Sequence, residues 1–310
     1  MTGLRIGFGL PVSGSWATPA NQAAIARRAE ELGYHSLWTF QRLLHPADGD
    51  WGASYRAVQD PLISLAYVAG LTERIRLGVA VLNAPFYPPI VLAKQLTTLD
   101  HVSAGRLDVG LGLGWAAEEF TATGVPEQRR GARLDEFIRC LKEIWAEDPV
   151  RFSGEFYQVP DALVDPKPVQ RPHPPILLGG GAEPALRRAG RLADGWISAS
   201  RHDLRTIGAD IAVIKDAATA AGRDAGRLRF IVRAVIKLSE QPDPRPDRRP
   251  LHGDLAQVHA DLDDLAAQGV TEAFLDLNFD PTIGSPAAEA EQSIAYAHHM
   301  LTEFAPGTDS

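Results

Sequence analysis

IRLGVAVLNAPFYPPIVLAKQLTTLDHVSAGRLDVGLGL, residues 75–113, decides the fold. Residues 75–82 form a short apolar run that reads as a strand. Residues 89–102, opening at a proline, read as a helix. Residues 106–113 read as the next strand. The unit is strand, helix, strand, with short connections on either side.

The same rhythm extends outward in both directions. Upstream, strands are expected at 5–10 and 36–40, with a helix at 20–32 that ends at Gly33. Asp60 and Pro61 open another helix after a long polar loop carrying His45, Asp48, Gly49, Asp50 and Gly52. Downstream, Leu134, Phe137, Ile138, Leu141, Ile144 and Trp145 trace one helical face. The rhythm breaks at 151–175. Pro160, Pro166, Pro168, Pro172, Pro174 and Pro175 forbid a helix there, so the segment reads as an inserted loop or small hairpin. It resumes with strands at 176–178, 196–199, 229–238 and 273–277, separated by helices at 183–193 and 204–221 and around 255–266. A last helix carries Ile294, Ala297, Leu301 and Phe304. The stretch 241–250, QPDPRPDRRP, reads as an exposed, mobile loop.

Eight strand–helix pairs in one chain point to an α/β fold, a (β/α)8 TIM barrel with an inserted loop region between strands 4 and 5. The rival is an open doubly wound sheet, which needs fewer strands. One domain over residues 1–310 is expected.

In a barrel the chemistry sits at the carboxyl ends of the strands. His35 and His101 precede strands and fall at the opposite end. Gly179, Gly180 and Gly181 follow a strand and precede a helix, a pattern suited to holding a phosphate on backbone N–H groups at a helix N-terminus. A tight turn is the plainer alternative. Gly110, Gly112 and Gly114 read as small residues packed inside the barrel or leaving room for a flat ring. Asn83, ending strand three, is placed to bond a heterocycle or to cap a loop. Arg42 and Arg201 lie at strand ends and suit acidic ligands or surface ion pairs.

Composition narrows the class further. The net charge of −8 argues against nucleic acid or an anionic membrane as partner. A single cysteine, Cys140, rules out an internal disulfide and any cysteine metal cluster, and no metal site is expected. There is no signal-peptide pattern and no apolar run long enough to span a bilayer, so a cytoplasmic enzyme is expected.

Residues 75–120, together with GYHSLWTF at 33–40, ILLGGG and ALRRAGRLADGWIS within 176–198, and GVTEAFLD at 269–276, closely resemble the luciferase-like monooxygenase superfamily. The subgroup they resemble most is the actinobacterial type of coenzyme F420-dependent oxidoreductase. The resemblance implies a cofactor ring in the barrel mouth, touched by Gln41, Ala80, Val81, Asn83 and Trp115, with its phosphate on Gly179, Gly180, Gly181 and Ala182. It also implies a non-proline cis peptide near Ala80–Val81, and a homodimer. One departure matters. Many relatives carry Asp-His at the end of strand two, where the histidine assists proton transfer, whereas this chain has Gln41-Arg42. Arginine is a poor general acid or base. Arg42 is therefore expected to stabilise negative charge or hold an acidic substrate, and His45 and Glu118 are the candidate proton donors.

The resulting expectation is hydride transfer between F420 and an unidentified small organic molecule. The alternatives are an FMN-dependent monooxygenase served by a separate flavin reductase, and a non-catalytic protein that binds a flavin or deazaflavin.

Overall fold

The structure, a computed structural model, describes residues 3–146 and 148–306. Eight parallel strands close into a barrel: β1 (Arg5–Gly9), β2 (Ser36–Thr39), β3 (Arg76–Val79), β4 (Leu107–Gly112), β5 (Ile176–Gly179), β6 (Gly195–Ile197), β7 (Arg229–Ala234) and β8 (Glu272–Leu275). Closure is explicit in the pairing, because β1 pairs with β8 (Ile6 opposite Ala273) on one side and with β2 (Phe8 opposite Leu37) on the other. The open doubly wound alternative is thereby excluded. β3 is interrupted at a cis Ala80–Val81 peptide and resumes as Leu82–Asn83, which pairs with the end of β4.

The principal helices alternate with the strands: α1 (Pro19–Glu31), α2 (Pro61–Ala69), α3 (Pro89–Val102), α4 (Arg130–Ala146), α5 (Glu183–Leu192), α6 (Ile207–Ala220), α7 (Leu255–Ala267) and α8 (Ala290–Glu303). Several start where the sequence caps them. Asp60 accepts from the backbone N–H groups of Leu62 and Ile63, and Asp254 and Gln257 form a reciprocal capping box. After α4 comes an antiparallel pair, Val150–Ser153 with Gln158–Ala162.

The apolar core has two parts. The larger lies between strands and helices. The smaller fills the barrel itself, where Trp38, Ala80, Leu177, Ile197, Ile231 and Phe274 pack together. Alternation along β7 puts Arg229, Ile231 and Arg233 on this inner face, so charged layers bracket the apolar one. Below it, Asp108 pairs with both Arg76 and Arg229, and Arg229 also reaches Glu272 at 2.9 Å. His35 joins this lower layer, 3.8 Å from Glu272.

Two expectations need correction. The strand predicted over 229–238 ends at Ala234, and Lys237–Leu238 leaves the barrel to pair with His252–Gly253. The stretch 241–250, expected to be mobile, is tied down. Arg248 makes two 2.7 Å contacts to Asp261, and Arg205 donates to the carbonyls of Asp247 and Arg248.

Candidate functional site

The carboxyl ends of the strands enclose a cavity of about 340 Å3. Its residues come from separate segments: Phe40, Gln41 and Arg42 after β2, Val81 and Asn83 in the broken β3, Gly112–Trp115 after β4, and Gly179–Ala182 after β5. Tyr55, Ala80, Arg130, Ser198, Arg233 and Phe279 also line it. One side is small and glycine-lined; the other is aromatic.

On the glycine side, backbone and side chains leave a flat space. A Cβ on Gly112 would stand 2.5 Å from Val81 Cγ2, and one on Gly179 would stand 3.3 Å from Val81 Cγ1. Val81 thus forms a ledge that only glycine can face across β4. Asn83 is buried beside it, and its Nδ2 has no protein partner. A buried donor without an acceptor costs about 1–3 kcal/mol, so it is a position where a ligand oxygen or nitrogen is favoured. Gln41 holds this corner: its Oε1 accepts from Asn83 N at 2.8 Å, and its Nε2 donates to Tyr87 Oη. Burial pushes the Tyr87 hydroxyl up to about 12, so it stays protonated.

Gly180 has φ +117°, a conformation that side chains resist, and α5 begins three residues later. The loop is braced from behind. Trp196 Nε1 donates to the Gly180 carbonyl at 2.8 Å, and His202, bonded to Asp210 at 2.7 Å, packs against Gly181. Glycines at the start of a helix are a position that suits an anion. Beyond His202 lies a second cleft lined by Arg201, Arg205 and Arg249.

On the aromatic side, Arg42 is 9% exposed. Its guanidinium lies 4.7 Å from the Trp115 ring, 5.4 Å from Tyr55 and 5.6 Å from Trp51. Nη2 stands 3.4 Å from Glu119, which is fully buried and also accepts from Leu43 N at 2.7 Å. Nη1 has no partner. Burial pulls the Arg42 guanidinium below its ordinary value, against the opposing pull of Glu119. Arg233 stands at the cavity floor, 2.7 Å from Asp276, and donates through Nη2 to the Ala80 carbonyl.

The structure brings Gln41, Arg42, Ala80, Val81, Asn83, Trp115 and Gly179–Ala182 into one cavity. Trp115 lies on the aromatic side, over Arg42 rather than beside the Val81 ledge. His45 and Glu118 are elsewhere. His45 Nδ1 lies 2.8 Å from the Pro46 carbonyl, with its ring toward Trp51. Glu118 is exposed at the start of a short helix, Ala117–Thr123, whose phase turns the next residue, Glu119, inward. Sequence reasoning missed Arg233, Glu119, Tyr55 and Phe279. Arg233 had a signal: it is a lone cation in the otherwise apolar run FIVRA.

Among the described residues, no group of three or more His, Cys, Asp or Glu is placed to hold a metal, and no helix is long and apolar enough to cross a membrane. Burial pushes the Cys140 thiol up to about 12, which leaves it unreactive.

Comparison with known proteins adds four findings. The family model for luciferase-like monooxygenases matches residues 5–299. An F420-dependent glucose-6-phosphate dehydrogenase of Kineococcus radiotolerans is 30% identical over 99% of this chain and 93% of its own length. An FMNH(2)-dependent dimethylsulfone monooxygenase of Pseudomonas putida is 39% identical over 52% of this chain and 44% of its own. Among solved structures, monooxygenase RslO1 of Streptomyces bottropensis superposes with a TM-score of 0.80 at 24% identity, covering 98% of this chain and 99% of that one, a likeness of fold.

Proposed function

This chain belongs to the luciferase-like monooxygenase family and is an oxidoreductase, and from that premise we propose that it exchanges a hydride between coenzyme F420 and a small organic molecule. The non-catalytic reading is set aside with that premise. One observation carries the choice of F420. Behind Gly181, across the His202 ring, lies a separate cleft that holds Arg201, Arg205 and Arg249 together with Asp203. FMN ends at its phosphate, whereas F420 continues beyond it into a carboxylate-bearing tail. A relative acting with F420 also matches this chain almost end to end.

The residues present fit such a group. Gly179–Ala182 would hold the phosphate, and Val81, Asn83 and Gly112 would flank the ring. The bound cofactor supplies hydride chemistry; the protein binds, orients and excludes water. Trp115, Tyr55 and Phe279 wall off the aromatic side. The ionisable side chains lining the cavity are Arg42, Tyr55, Arg130 and Arg233. None is a histidine, carboxylate or thiol, the side chains that most often serve as general acid or base.

A second reading is an FMN-dependent monooxygenase with a separate reductase, favoured by the higher identity to the dimethylsulfone enzyme over half of the chain. Titration of the cofactor-free protein with F420 and with FMN, followed by tryptophan fluorescence, separates the two. Tight F420 binding is expected, and preference for FMN moves the protein to the second reading. Binding of neither removes both. Arg201→Ala with Arg249→Ala is expected to weaken F420 by about two- to tenfold and to leave FMN unchanged. Within this reading the protein is a cytoplasmic homodimer.

A further inference from the structure

The aromatic half of the cavity carries information about the second reactant. Two buried guanidinium groups face it, each with its own buried carboxylate, and a third, Arg130, lies half-exposed at its edge, 3.9 Å from the half-exposed Glu127. Arg42 stands 3.4 Å from Glu119, and Arg233 stands 2.7 Å from Asp276. The pairs are neutral as they stand. A ligand with a full negative charge would add a buried charge that no buried cation balances, and that is costly. Arg42 Nη1 nevertheless remains a buried donor with no acceptor. A neutral molecule with a strong acceptor oxygen satisfies Nη1 without adding charge. The rings of Trp115 and Tyr55 beside Arg42, and of Phe279 between Tyr55 and Arg233, offer flat apolar surface.

We propose that this half of the cavity takes an uncharged, planar carbonyl compound, with its oxygen on Arg42 Nη1 and its carbon skeleton along Trp115, Tyr55 and Phe279. The proposal rests on the hydride-transfer reading above. In the reducing direction the carbonyl carbon, or the carbon conjugated to it, gains the hydride, and the C=O electron pair moves to oxygen. The reduced deazaflavin that gave the hydride is left oxidised. The new anionic oxygen lies against the guanidinium, and a proton from water completes the alcohol or the saturated ketone. Arg42 therefore stabilises charge that develops during the reaction and is absent from the reactant. Glu119 is a positioning residue, holding the guanidinium in place.

Three probes of one shape test this: acetophenone, benzoate and ethylbenzene. Each is titrated into the full-length protein by saturation-transfer NMR, without cofactor and then with F420 or FMN present. Acetophenone is expected to bind about tenfold more tightly than the other two. In Arg42→Met the preference over ethylbenzene should vanish. Arg42→Met with Glu119→Gln should also lose it, without leaving a carboxylate unpaired in the interior, which guards against a folding defect. Tighter Arg42-dependent binding of benzoate overturns the proposal. So does a preference that survives both variants, or failure of all three probes to bind. Because the first titration contains no cofactor, an Arg42-dependent preference there upholds the pocket even if F420 itself fails to bind.

Discussion

At the scale of single residues, the site depends on charges kept inside the barrel by their partners. Arg233 is the clearest case. It is 6% exposed, pairs with Asp276 and donates to the Ala80 carbonyl beside the Val81 ledge. Arg233→Met removes a cation and leaves Asp276 buried with only the N–H donors of Asn278. The expected loss is about 3–5 kcal/mol in denaturant unfolding, as for other broken buried pairs. Adding Asp276→Asn should recover much of it; if it does not, the pair is not what holds this layer. Legibility at this scale was uneven. Arg42 stood out because it occupies a position where the resembling family places histidine. Glu118 and Glu119 could not be told apart, because the Ala117–Thr123 helix is too short for its phase to be read from periodicity. That phase is set by the loop leaving β4, where Gly114 packs near Phe120 and Phe86.

At the scale of elements, local signals worked wherever a strand met a helix directly. The Gly179–Gly181 turn was legible because it sits between a short apolar strand and α5, and a helix N-terminus has few other uses for three glycines. The rest of the site comes from connections whose shape depends on distant contacts. The 241–250 stretch shows why. Its prolines and charges read as an unattached loop, yet Asp261, on the helix that follows, bonds both Arg248 and the backbone N–H of Leu251, which has φ +68°. Asp261→Ala should cost about 1–3 kcal/mol through the unpaired groups it leaves. It should also turn 241–250 into the first site of limited proteolysis. Unchanged cleavage would mean that Arg205, which grips the same stretch from the other side, suffices.

At the scale of the whole molecule, barrel closure was legible from eight repeats alone, but the charged layer at its base was not, because it joins residues from β3, β4, β7 and β8 with His35, just before β2. That layer makes stability depend on pH. Burial alone would raise the Asp108 pKa, but Arg229 and Arg76 outweigh it and bring the carboxyl below its ordinary 3.8. Burial lowers His35 below its ordinary 6.5, against the pull of Glu272. Both folded values lie below the unfolded ones, so in each case the unfolded chain binds the proton more readily. Both contributions are complete above pH 6.5. The His35 part falls away first as the pH drops below 6.5, and the Asp108 part follows below 3.8. Urea midpoints measured from pH 8 to pH 3 should therefore decline in two stages. His35→Gln should flatten the upper stage and keep the lower one. The two stages then belong to the base of the barrel alone, and cofactor binding at the opposite end should be unchanged by His35→Gln. A loss of F420 or FMN affinity in that variant would show instead that the two charged layers communicate through the apolar one of Trp38, Ile231 and Phe274 that separates them.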